Sequence, residues 1–297
     1  MKELRELAKK LLADGTVKVV FGYEEGPRGV RPAMATDAAG ADKLVFDARC
    51  VQNLATYLNP RRPQVAKLGK PAVVVKACDA KAVAGLIRET QVKREDVVII
   101  GMRCGGVVRE PTMKAELTPQ TVHPRCNHCD AREPKLFDHL LGAALPEPPK
   151  HVPSGAEGAA GEDLAARLEA MPVKERWAFW AEELSRCVRC HACREVCPMC
   201  YCATCVADKS RPQWIETSAT PRANLSWQMT RVMHMAGRCV GCGECTRACP
   251  SDIPLNLILA HVASSVNERF GYRVSDDPSV PAPIGAFKTD DKQEFIL

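Results

Sequence analysis

One cysteine pattern occurs twice within residues 187–250, and it constrains the fold more than any other feature of the chain. Each copy reads C-x2-C-x2-C-x3-C-P. A proline follows the last cysteine of each copy, where it bends the chain and withholds one backbone N–H. The first run consists of Cys187, Cys190, Cys193 and Cys197, and the second run consists of Cys239, Cys242, Cys245 and Cys249.

This spacing is the one that bacterial ferredoxins use to hold [4Fe–4S] clusters. Three thiolates on one tight loop bind three irons, and in two-cluster ferredoxins the fourth cysteine of a run ligates the other cluster. We therefore predict two clusters with crossed ligands, in which Cys249 completes the set of the first run and Cys197 that of the second. Gly241 and Gly243 let the backbone approach the cluster sulfides closely.

Zinc and disulfide bonds explain the two runs less well. Zinc sites use two C-x2-C pairs, or pairs of Cys and His, and not triplets that end in C-P. Disulfides need an oxidising compartment, and the sequence contains no secretory segment. Sixteen cysteines in such a chain predict metal chemistry in a reducing cytoplasm.

Length and composition allow about two domains with ordinary hydrophobic cores. The chain has 297 residues, 46% of them apolar, and a net charge of only +5. This charge gives no reason to expect nucleic acid or an anionic membrane surface as a partner. Because no window approaches about 18 uninterrupted apolar residues, we also expect no transmembrane helix.

Residues 1–144 are predicted to form an α/β domain with parallel strands. A strand, a helix and a strand follow one another within about 30 residues, which is a βαβ unit with helices covering the sheet. Asp79 is the predicted N-cap of the helix in this unit. The pattern predicts helices at 2–14 and 79–90, helical spacing at 51–58, and strands at 16–23, 43–46, 71–76 and 97–101.

The rest of the chain is predicted to comprise a linker, a mainly helical domain and a tail. Residues 145–161 are rich in Pro, Gly and Ala, which is typical of a linker. Residues 162–275 carry both runs and form the helical two-cluster ferredoxin domain, and residues 276–297 form an extended tail that is ordered only against a partner or the body. Helices are predicted at 162–170, 173–186, 226–236 and 255–270.

Further cysteines predict a third metal centre in the α/β domain. Cys78 and Cys104 each follow a predicted strand, so in a parallel sheet they lie at the same edge, where ligand sites form. Cys126 and Cys129 form a C-x2-C on a loop. A third [4Fe–4S] cluster or a four-thiolate zinc site fits these thiols. Cys50 competes with Cys78 as the fourth ligand, because it too follows a predicted strand.

Cys200, Cys202 and Cys205 lie just beyond the first run. One hypothesis is that they ligate a fourth metal site together with a residue from elsewhere. Another is that they donate weak S–H hydrogen bonds to the first cluster and tune its reduction potential. The alternative without any metal role is that they are small core residues.

Both halves of the chain resemble known iron–sulfur proteins. The paired runs, their long separation and the IPLNL after the second run resemble the helical two-cluster modules of heterodisulfide reductase small subunits and succinate dehydrogenase iron–sulfur subunits. KACDAKAVAGLI and VVIIGMRCGGV resemble the beta subunits of coenzyme F420-reducing hydrogenases and F420-dependent formate dehydrogenases. The order of the whole chain is similar to iron–sulfur subunits of that beta type in hydrogenase, formate dehydrogenase and heterodisulfide-reductase-like complexes of anaerobes.

The resemblance implies a [4Fe–4S] cluster and an FAD that exchanges a hydride with F420. The first hypothesis is an electron-transfer subunit that relays single electrons between the redox centres of partner subunits. The second is an FAD-containing subunit that exchanges a hydride with a soluble carrier, F420 or NAD(P)H, and feeds its own clusters. A third is a subunit in which clusters serve only the fold.

We expect an obligate subunit of a redox complex, with a flavoprotein, a hydrogenase, a formate dehydrogenase or heterodisulfide-reductase-like subunits as partners. The chain is larger and more basic than free ferredoxins, which are typically small and acidic. Tryptophans around the cluster domain are candidates for docking anchors or for core residues. They are Trp177, Trp180, Trp214 and Trp227.

Overall fold

The computed structural model describes residues 1–112, 115–127, 129, 131–145, 164–287 and 289. Within them the strands are β1 (Val19–Gly26), β2 (Gly29–Ala35), β3 (Leu44–Val45), β4 (Pro71–Val75), β5 (Val98–Met102) and β6 (His139–Leu141). The helices are α1 (Lys2–Ala13), α2 (Ala38–Asp42), α3 (Pro63–Ala66), α4 (Ala77–Arg88), α5 (Pro124–Asn127), α6 (Leu164–Ala170), α7 (Val173–Ser185), α8 (Ala192–Glu195), α9 (Pro221–His234), α10 (Glu244–Arg247) and α11 (Leu255–Phe270).

The strands form one six-stranded sheet in the order β2-β1-β4-β5-β6, with β3 paired to β1. Strands β1, β4, β5 and β6 are parallel, whereas β2 and β3 pair with β1 in the antiparallel sense. Valine and isoleucine bury both faces of β4 and β5, which explains why their sequences are unbroken apolar runs. The parallel α/β sheet predicted from the βαβ unit is confirmed, with an antiparallel hairpin added at one edge.

Strand β2 is absent from the sequence prediction, although it pairs with β1 from Ala35 to Gly29. Its sequence, GVRPAMA, contains a proline and does not alternate between apolar and polar residues. A proline is tolerated here because β2 is an edge strand, where the missing N–H can face away from the ladder. The stretch of helical spacing at 51–58 likewise forms only a 3-10 turn, Leu54–Leu58.

The start of α4 corrects the prediction for Asp79. Lys76 is the N-cap, and Asp79 is the third helical residue, whose carboxylate accepts the backbone N–H of Lys76 at 3.1 Å. From inside the first turn, the carboxylate therefore accepts a backbone N–H that would otherwise lack a partner at the helix start, as the acidic residue of a capping box does. Asp79 also forms an ion pair with Lys76 Nζ at 2.8 Å, and both side chains are buried.

Helices dominate the second half of the chain. Helix α11 has the predicted bounds, and α7 ends one residue before its predicted end. Helix α9 begins at Pro221, earlier than predicted, because Thr220 caps it by accepting the N–H of Ala223 at 3.3 Å. In the part of the chain that the structure describes, no helix has the length and apolar character needed to cross a membrane.

Two predicted segments are only partly described. The linker at 145–161 lies outside the described residues except for residue 145, and the tail is described only through residue 287 and at residue 289. The described start of the tail lies against the α/β region. Asp276 accepts the N–H of Lys135 at 2.6 Å, and Arg88 of α4 donates to the Asp277 carbonyl at 2.8 Å.

Helix α4 makes one of the contacts between the α/β region and the helical region, and the segment 56–62 makes another through hydrogen bonds to residues 194–200. Leu86 is fully buried in the core of the helical region, although its helix covers the sheet. At the preceding residue, a Cβ added to Gly85 would lie 2.8 Å from Met199 Cε, so a larger residue there would require the Met199 side chain to shift. Glu89 after the helix pairs with Arg238 through two hydrogen bonds of 2.7 and 2.5 Å.

Candidate metal centres

The cysteine loops of the two runs share one backbone conformation. In the second run Gly241 and Gly243 have φ angles of 70° and 68°, and the matching positions of the first run, Arg189 and His191, have 56° and 61°. Left-handed backbone costs a non-glycine residue about 1–2 kcal/mol. Contacts with Trp227 offset this, because Arg189 Cζ lies 5.4 Å and the His191 ring centroid 5.1 Å from its ring centroid.

The thiols of the first run surround a cavity of about 330 Å³ that is partly open to solvent. Three of its cysteines come from the first run, and the fourth, Cys249, comes from the second. Trp227, Gln228 and Leu255 complete its inner wall. Burial is the main reason why the pKa of Cys193 is raised. Neighbouring thiolate charges add to this rise, and they are those of Cys187, Cys249 and Cys190.

Cys197 of the first run lies among the thiols of the second run. Burial raises the pKa of Cys239 to about 12, and the charges of Cys245 and Cys197 add to the rise. Burial is also the main reason why the pKa values of Cys242 and Cys245 are raised, and the Cys197 charge makes a smaller contribution to both. Bare thiols with such pKa values stay protonated at neutral pH, so a bound metal would have to displace their protons.

Arg231 of α9 provides a test of whether these thiols fit anionic clusters. Its side chain is buried, and its Nε and Nη1 have no hydrogen-bond partner among the described residues. Thiolates of both runs, Cys197, Cys193 and Cys245 among them, are the charges that raise its pKa. A buried cation needs a nearby anion. A [4Fe–4S] cluster with four thiolate ligands carries net negative charge, so the donor set and the buried cation fit such clusters.

Cys200 lies beside Cys197 and not in a separate metal site. Its backbone N–H donates to the Cys197 carbonyl at 3.2 Å, and the interaction between the two thiols lowers the pKa of Cys197 to about 6 and raises that of Cys200. Cys202 is exposed, and its carbonyl accepts a hydrogen bond from Arg194 at 2.9 Å. Hydrogen bonds from these thiols to the first cluster therefore stay a prediction, and Cys200 itself lies beside Cys197, which stands among the thiols of the second run.

Among the described residues, no three Cys, His, Asp or Glu side chains have the spacing that a single metal ion requires. This finding covers the predicted fourth site at Cys200, Cys202 and Cys205 and the cysteines of the α/β region alike. A four-iron cluster spaces its thiolates more widely than one zinc ion does, because each thiolate binds a different iron atom.

Three predicted ligands of the α/β region lie together at the carboxyl edge of β4 and β5. Burial raises the pKa of Cys78, and the charge of Cys104 contributes to this rise. Burial also raises the pKa of Cys104, and the charge of Cys126 contributes to that rise. The N–H of Cys104 also donates to the Arg132 carbonyl at 2.9 Å, which brings the segment after Cys129 to the same edge. Parallel pairing of β4 and β5 produces this arrangement.

Cys50 lies apart from these thiols, in the core of the sheet. Its sulfur accepts the Asp47 N–H at 3.3 Å and its S–H donates to the Val45 carbonyl at 3.8 Å. Burial raises its pKa to about 12. The side chain is thus engaged in local hydrogen bonds inside an apolar core, as a structural cysteine is.

Two buried cations lie beside the thiols of the α/β region. Lys76 Nζ donates to Tyr23 Oη at 2.7 Å and to the Gln52 carbonyl at 2.8 Å, and its charge opposes the rise in the pKa of Cys78. Arg125 precedes Cys126 and donates to the Val51 carbonyl at 2.7 Å. Its other terminal nitrogen donates to the carbonyl of Cys242 and lies 3.5 Å from Glu244 Oε1. Arg125 therefore connects the α/β thiols to the second run.

The sequence prediction does not include Arg231, Arg125 or Lys76. A signal for Arg231 exists in the helical spacing of α9, since it lies three and four positions after Gln228 and Trp227 and so shares their buried face. A charged residue on a buried face indicates an anion inside the protein. Arg125 and Lys76 offer no comparable signal, because only the fold brings their partners to them.

Comparison with known proteins identifies the families that the chain resembles. Residues 148–253 match the family model of the 4Fe-4S dicluster domain. The F420-dependent formate dehydrogenase subunit beta of Methanocaldococcus jannaschii is 23% identical, over 93% of this chain and 90% of the relative. The F420-dependent formate dehydrogenase 1 subunit beta of Methanococcus maripaludis is 24% identical, over 94% of this chain and 92% of the relative.

These matches confirm the resemblance to beta subunits of F420-dependent formate dehydrogenases that carry a 4Fe–4S dicluster domain. They support an iron–sulfur electron-transfer subunit of an oxidoreductase.

Proposed function

We propose that the protein is the iron–sulfur subunit that relays single electrons between partner redox centres in a multi-subunit oxidoreductase of the formate dehydrogenase type. The observation that carries this proposal is the cavity lined by three cysteines of the first run and by Cys249 of the second. The clusters supply one-electron redox chemistry when bound. The chain holds them, keeps water away from them and determines the distances between them.

Two [4Fe–4S] clusters with crossed ligands fit the two runs. Cys249 lines the cavity of the first run, and the Cys197 charge raises the pKa values of the second-run thiols. The first set is Cys187, Cys190, Cys193 and Cys249, and the second set is Cys239, Cys242, Cys245 and Cys197. This exchange makes each cluster depend on both runs, so neither loop can bind its cluster alone.

A third centre fits Cys78, Cys104, Cys126 and Cys129 at the carboxyl edge of the sheet. Cys78 is favoured over Cys50 as a ligand, because the Cys50 thiol packs in the sheet core and bonds to local backbone groups. Of the two alternatives for this centre, a [4Fe–4S] cluster fits the described thiols better than a four-thiolate zinc site, because they lack the spacing of a single metal ion. We do not extend the proposal to a fourth centre, since among the described residues Cys200, Cys202 and Cys205 lack the spacing of a metal site and Cys200 lies beside Cys197.

The three thiol sets follow one another in a definite order. Arg125 reaches from the α/β thiols to Cys242, and Arg231 reaches from Cys193 to the second set. The second set is therefore the central one, with the α/β set and the first set on either side. Such an order suits a relay, which needs two ends where electrons enter and leave.

The first set provides one of these ends, because it reaches the surface. Cys190 is exposed, and the neighbouring Val188 is 60% exposed. Trp214, at 71% exposure, and Trp177, at 55%, are candidate anchors for a partner subunit, whereas Trp227 is a core residue. The expected partners are a flavoprotein, a hydrogenase, a formate dehydrogenase or heterodisulfide-reductase-like subunits.

The test of the crossed sets compares pairs of variants in the anaerobically purified full chain. Cys197→Ser should remove the same EPR signal as Cys242→Ser, and Cys249→Ser the same signal as Cys190→Ser. Uncrossed ligation predicts the opposite pairing, in which Cys197→Ser matches Cys190→Ser. A wild-type protein without iron and acid-labile sulfide would refute the iron–sulfur function itself. Clusters that dithionite cannot reduce would favour a purely structural role.

Metal analysis of two further variants tests the third centre. Cys78→Ser should lower the iron or zinc content by one centre, whereas Cys50→Ser should leave the metal content unchanged. Loss of metal in Cys50→Ser with full retention in Cys78→Ser would assign the fourth ligand to Cys50. Equal metal content in the wild type and in Cys104→Ser would contradict a centre at this edge.

A second candidate function is hydride exchange between F420 or NAD(P)H and an FAD held by this chain, which then feeds its own clusters. The alignment favours it, because it extends through the α/β region to relatives whose names include F420 dependence. Extraction and quantification of flavin from the native protein separate the two functions. One FAD per chain with F420-dependent reduction of the clusters would favour hydride exchange, and its absence would favour the relay.

A further inference from the structure

Arg231 occupies an unusual position on the inner face of α9. Its side chain is only 4% exposed, and among the described residues it takes part in no ion pair with a carboxylate. By contrast, Arg125, whose side chain is 7% exposed, has Glu244 Oε1 at 3.5 Å. Burying an uncompensated charge is unfavourable by several kcal/mol. Some other anion must therefore compensate Arg231.

The groups that face the Arg231 guanidinium are sulfur ligands of both proposed centres. Nη2 donates to the Cys193 carbonyl at 3.1 Å, and the interaction with Arg231 opposes the rise in the pKa of Cys245, which shows that the second set is within reach of its charge. Nε and Nη1 have no partner within the described part of the chain. The charges that act on the guanidinium are those of Cys197, Cys193, Cys200 and Cys245.

Two polar neighbours on the same helix face indicate that this side of α9 is built to contact sulfur ligands. Asn224 Nδ2 donates to the Cys187 carbonyl at 2.7 Å, and Gln228 Nε2 donates to the Cys187 sulfur at 3.5 Å. Asn224 and Gln228 serve the first set alone. Arg231 is one turn further along the helix and reaches the first set through Cys193 and the second through Cys245.

From this placement we propose that Arg231 is a positioning residue that shares one positive charge between the first and second cluster sets and raises the reduction potentials of both. The proposal rests on the two clusters of the proposed function. Reduction adds one electron from a partner redox centre, and no bond forms or breaks. A nearby cation favours the form with the additional negative charge, and N–H donors to sulfur do the same. The effect is larger for the second set, because two of its thiolates, Cys197 and Cys245, act on Arg231, whereas Cys193 alone does so from the first set.

The test is a potentiometric EPR titration of the full chain, purified without oxygen. Arg231→Met removes charge and donors, whereas Arg231→Lys keeps the charge and fewer donors. The matched control is Arg222→Met, which removes the same charge from the exposed side of the same helix. In Arg231→Met the electron affinity of the second-set cluster should fall at least tenfold, which is 59 mV for one electron. The reduction potential of the first-set cluster should fall less. Arg231→Lys should recover most of the lost potential, and Arg222→Met should have the potentials of the wild type.

Iron content separates the possible failures. Unchanged potentials in Arg231→Met at full iron content, or a shift no larger than that of Arg222→Met, would overturn the role of Arg231. If Arg231→Met loses iron, the test uses Arg231→Gln instead, which keeps hydrogen-bond donors but carries no charge. Equal reduction potentials in Arg231→Gln and Arg231→Lys would then contradict charge sharing. Fewer than two clusters in the wild type would instead refute the proposed function.

Discussion

The two halves of this protein have cores of different chemistry. In the α/β region, β1, β4 and β5 fill the core with aliphatic side chains such as Val73, Val74 and Ile99, all fully buried. In the helical region, leucine, isoleucine and valine share the core with cysteines, methionines and one tryptophan among the described residues, and polar side chains reach into it. Asn224, Gln228 and Arg231 are buried there, on a single face of α9.

This difference indicates that different interactions stabilise each of the two regions internally. Burial of aliphatic surface, about 25 cal/mol per Å², stabilises the sheet without any ligand. The helical region buries polar and charged groups whose partners are backbone carbonyls and thiolates, so its interior is complete only when the thiols hold an anionic centre. Leu86 of α4, a helix of the α/β region, also packs in the core of the helical region. The helical region therefore depends on the α/β region for part of its core.

The largest expected effect is selective loss of structure when iron is removed. In the full chain treated with a chelator under anaerobic conditions, α7, α9 and α11 should lose amide protection while β4 and β5 retain it. Structural metals contribute on the order of 10 kcal/mol in small metal domains, which is as large as the whole stability of a typical domain. Hydrogen exchange measured by mass spectrometry provides the comparison. Uniform loss of protection across both regions would contradict the distinction between the two cores.

A medium effect is expected for Leu86→Ala. The substitution removes a buried side chain from the helical core and should lower the stability of that region by about 2–5 kcal/mol. The matched control is Val83→Ala, one turn earlier in α4 and buried in the sheet core. Denaturation followed by cluster absorbance and by sheet amide protection separates the two. Leu86→Ala should mainly lower the cluster signal and Val83→Ala mainly the sheet signal, and the reverse would show that Leu86 serves the sheet.

The smallest effect concerns the ion pair between Glu89 and Arg238, which joins the regions. Its side chains are 17% and 13% exposed, and a double-mutant cycle with Glu89→Gln and Arg238→Gln should give a coupling of about 1–2 kcal/mol. The control cycle uses Glu24 and Arg31, a pair within the hairpin whose arginine is 60% exposed, where about 0–1 kcal/mol is expected. Equal coupling energies would mean that the partly buried pair adds nothing to the contact between the regions.

Sequence periodicity predicted the local elements of both regions well, and its errors have identifiable causes. The bounds of α11 and the βαβ unit of β4, α4 and β5 follow from apolar spacing alone. The sequence prediction missed strand β2, because its Pro32 argues against a strand. An edge strand tolerates this proline, whereas a central strand would not. Asp79 was assigned to the wrong cap position because an acidic residue stabilises a helix start from either position.

The sequence by itself determined which residues carry the chemistry of this protein. The spacing of each run encodes a local loop, and the similar φ angles at Arg189, His191, Gly241 and Gly243 follow from that local code. Tertiary structure alone decided which thiols and charges meet. It brought Cys249 to the first run, separated Cys50 from Cys78, and placed Arg125 and Arg231 between the thiol sets. The physical reason is that a loop conformation depends on neighbours along the chain, whereas the compensation of a buried charge depends on packing between distant segments.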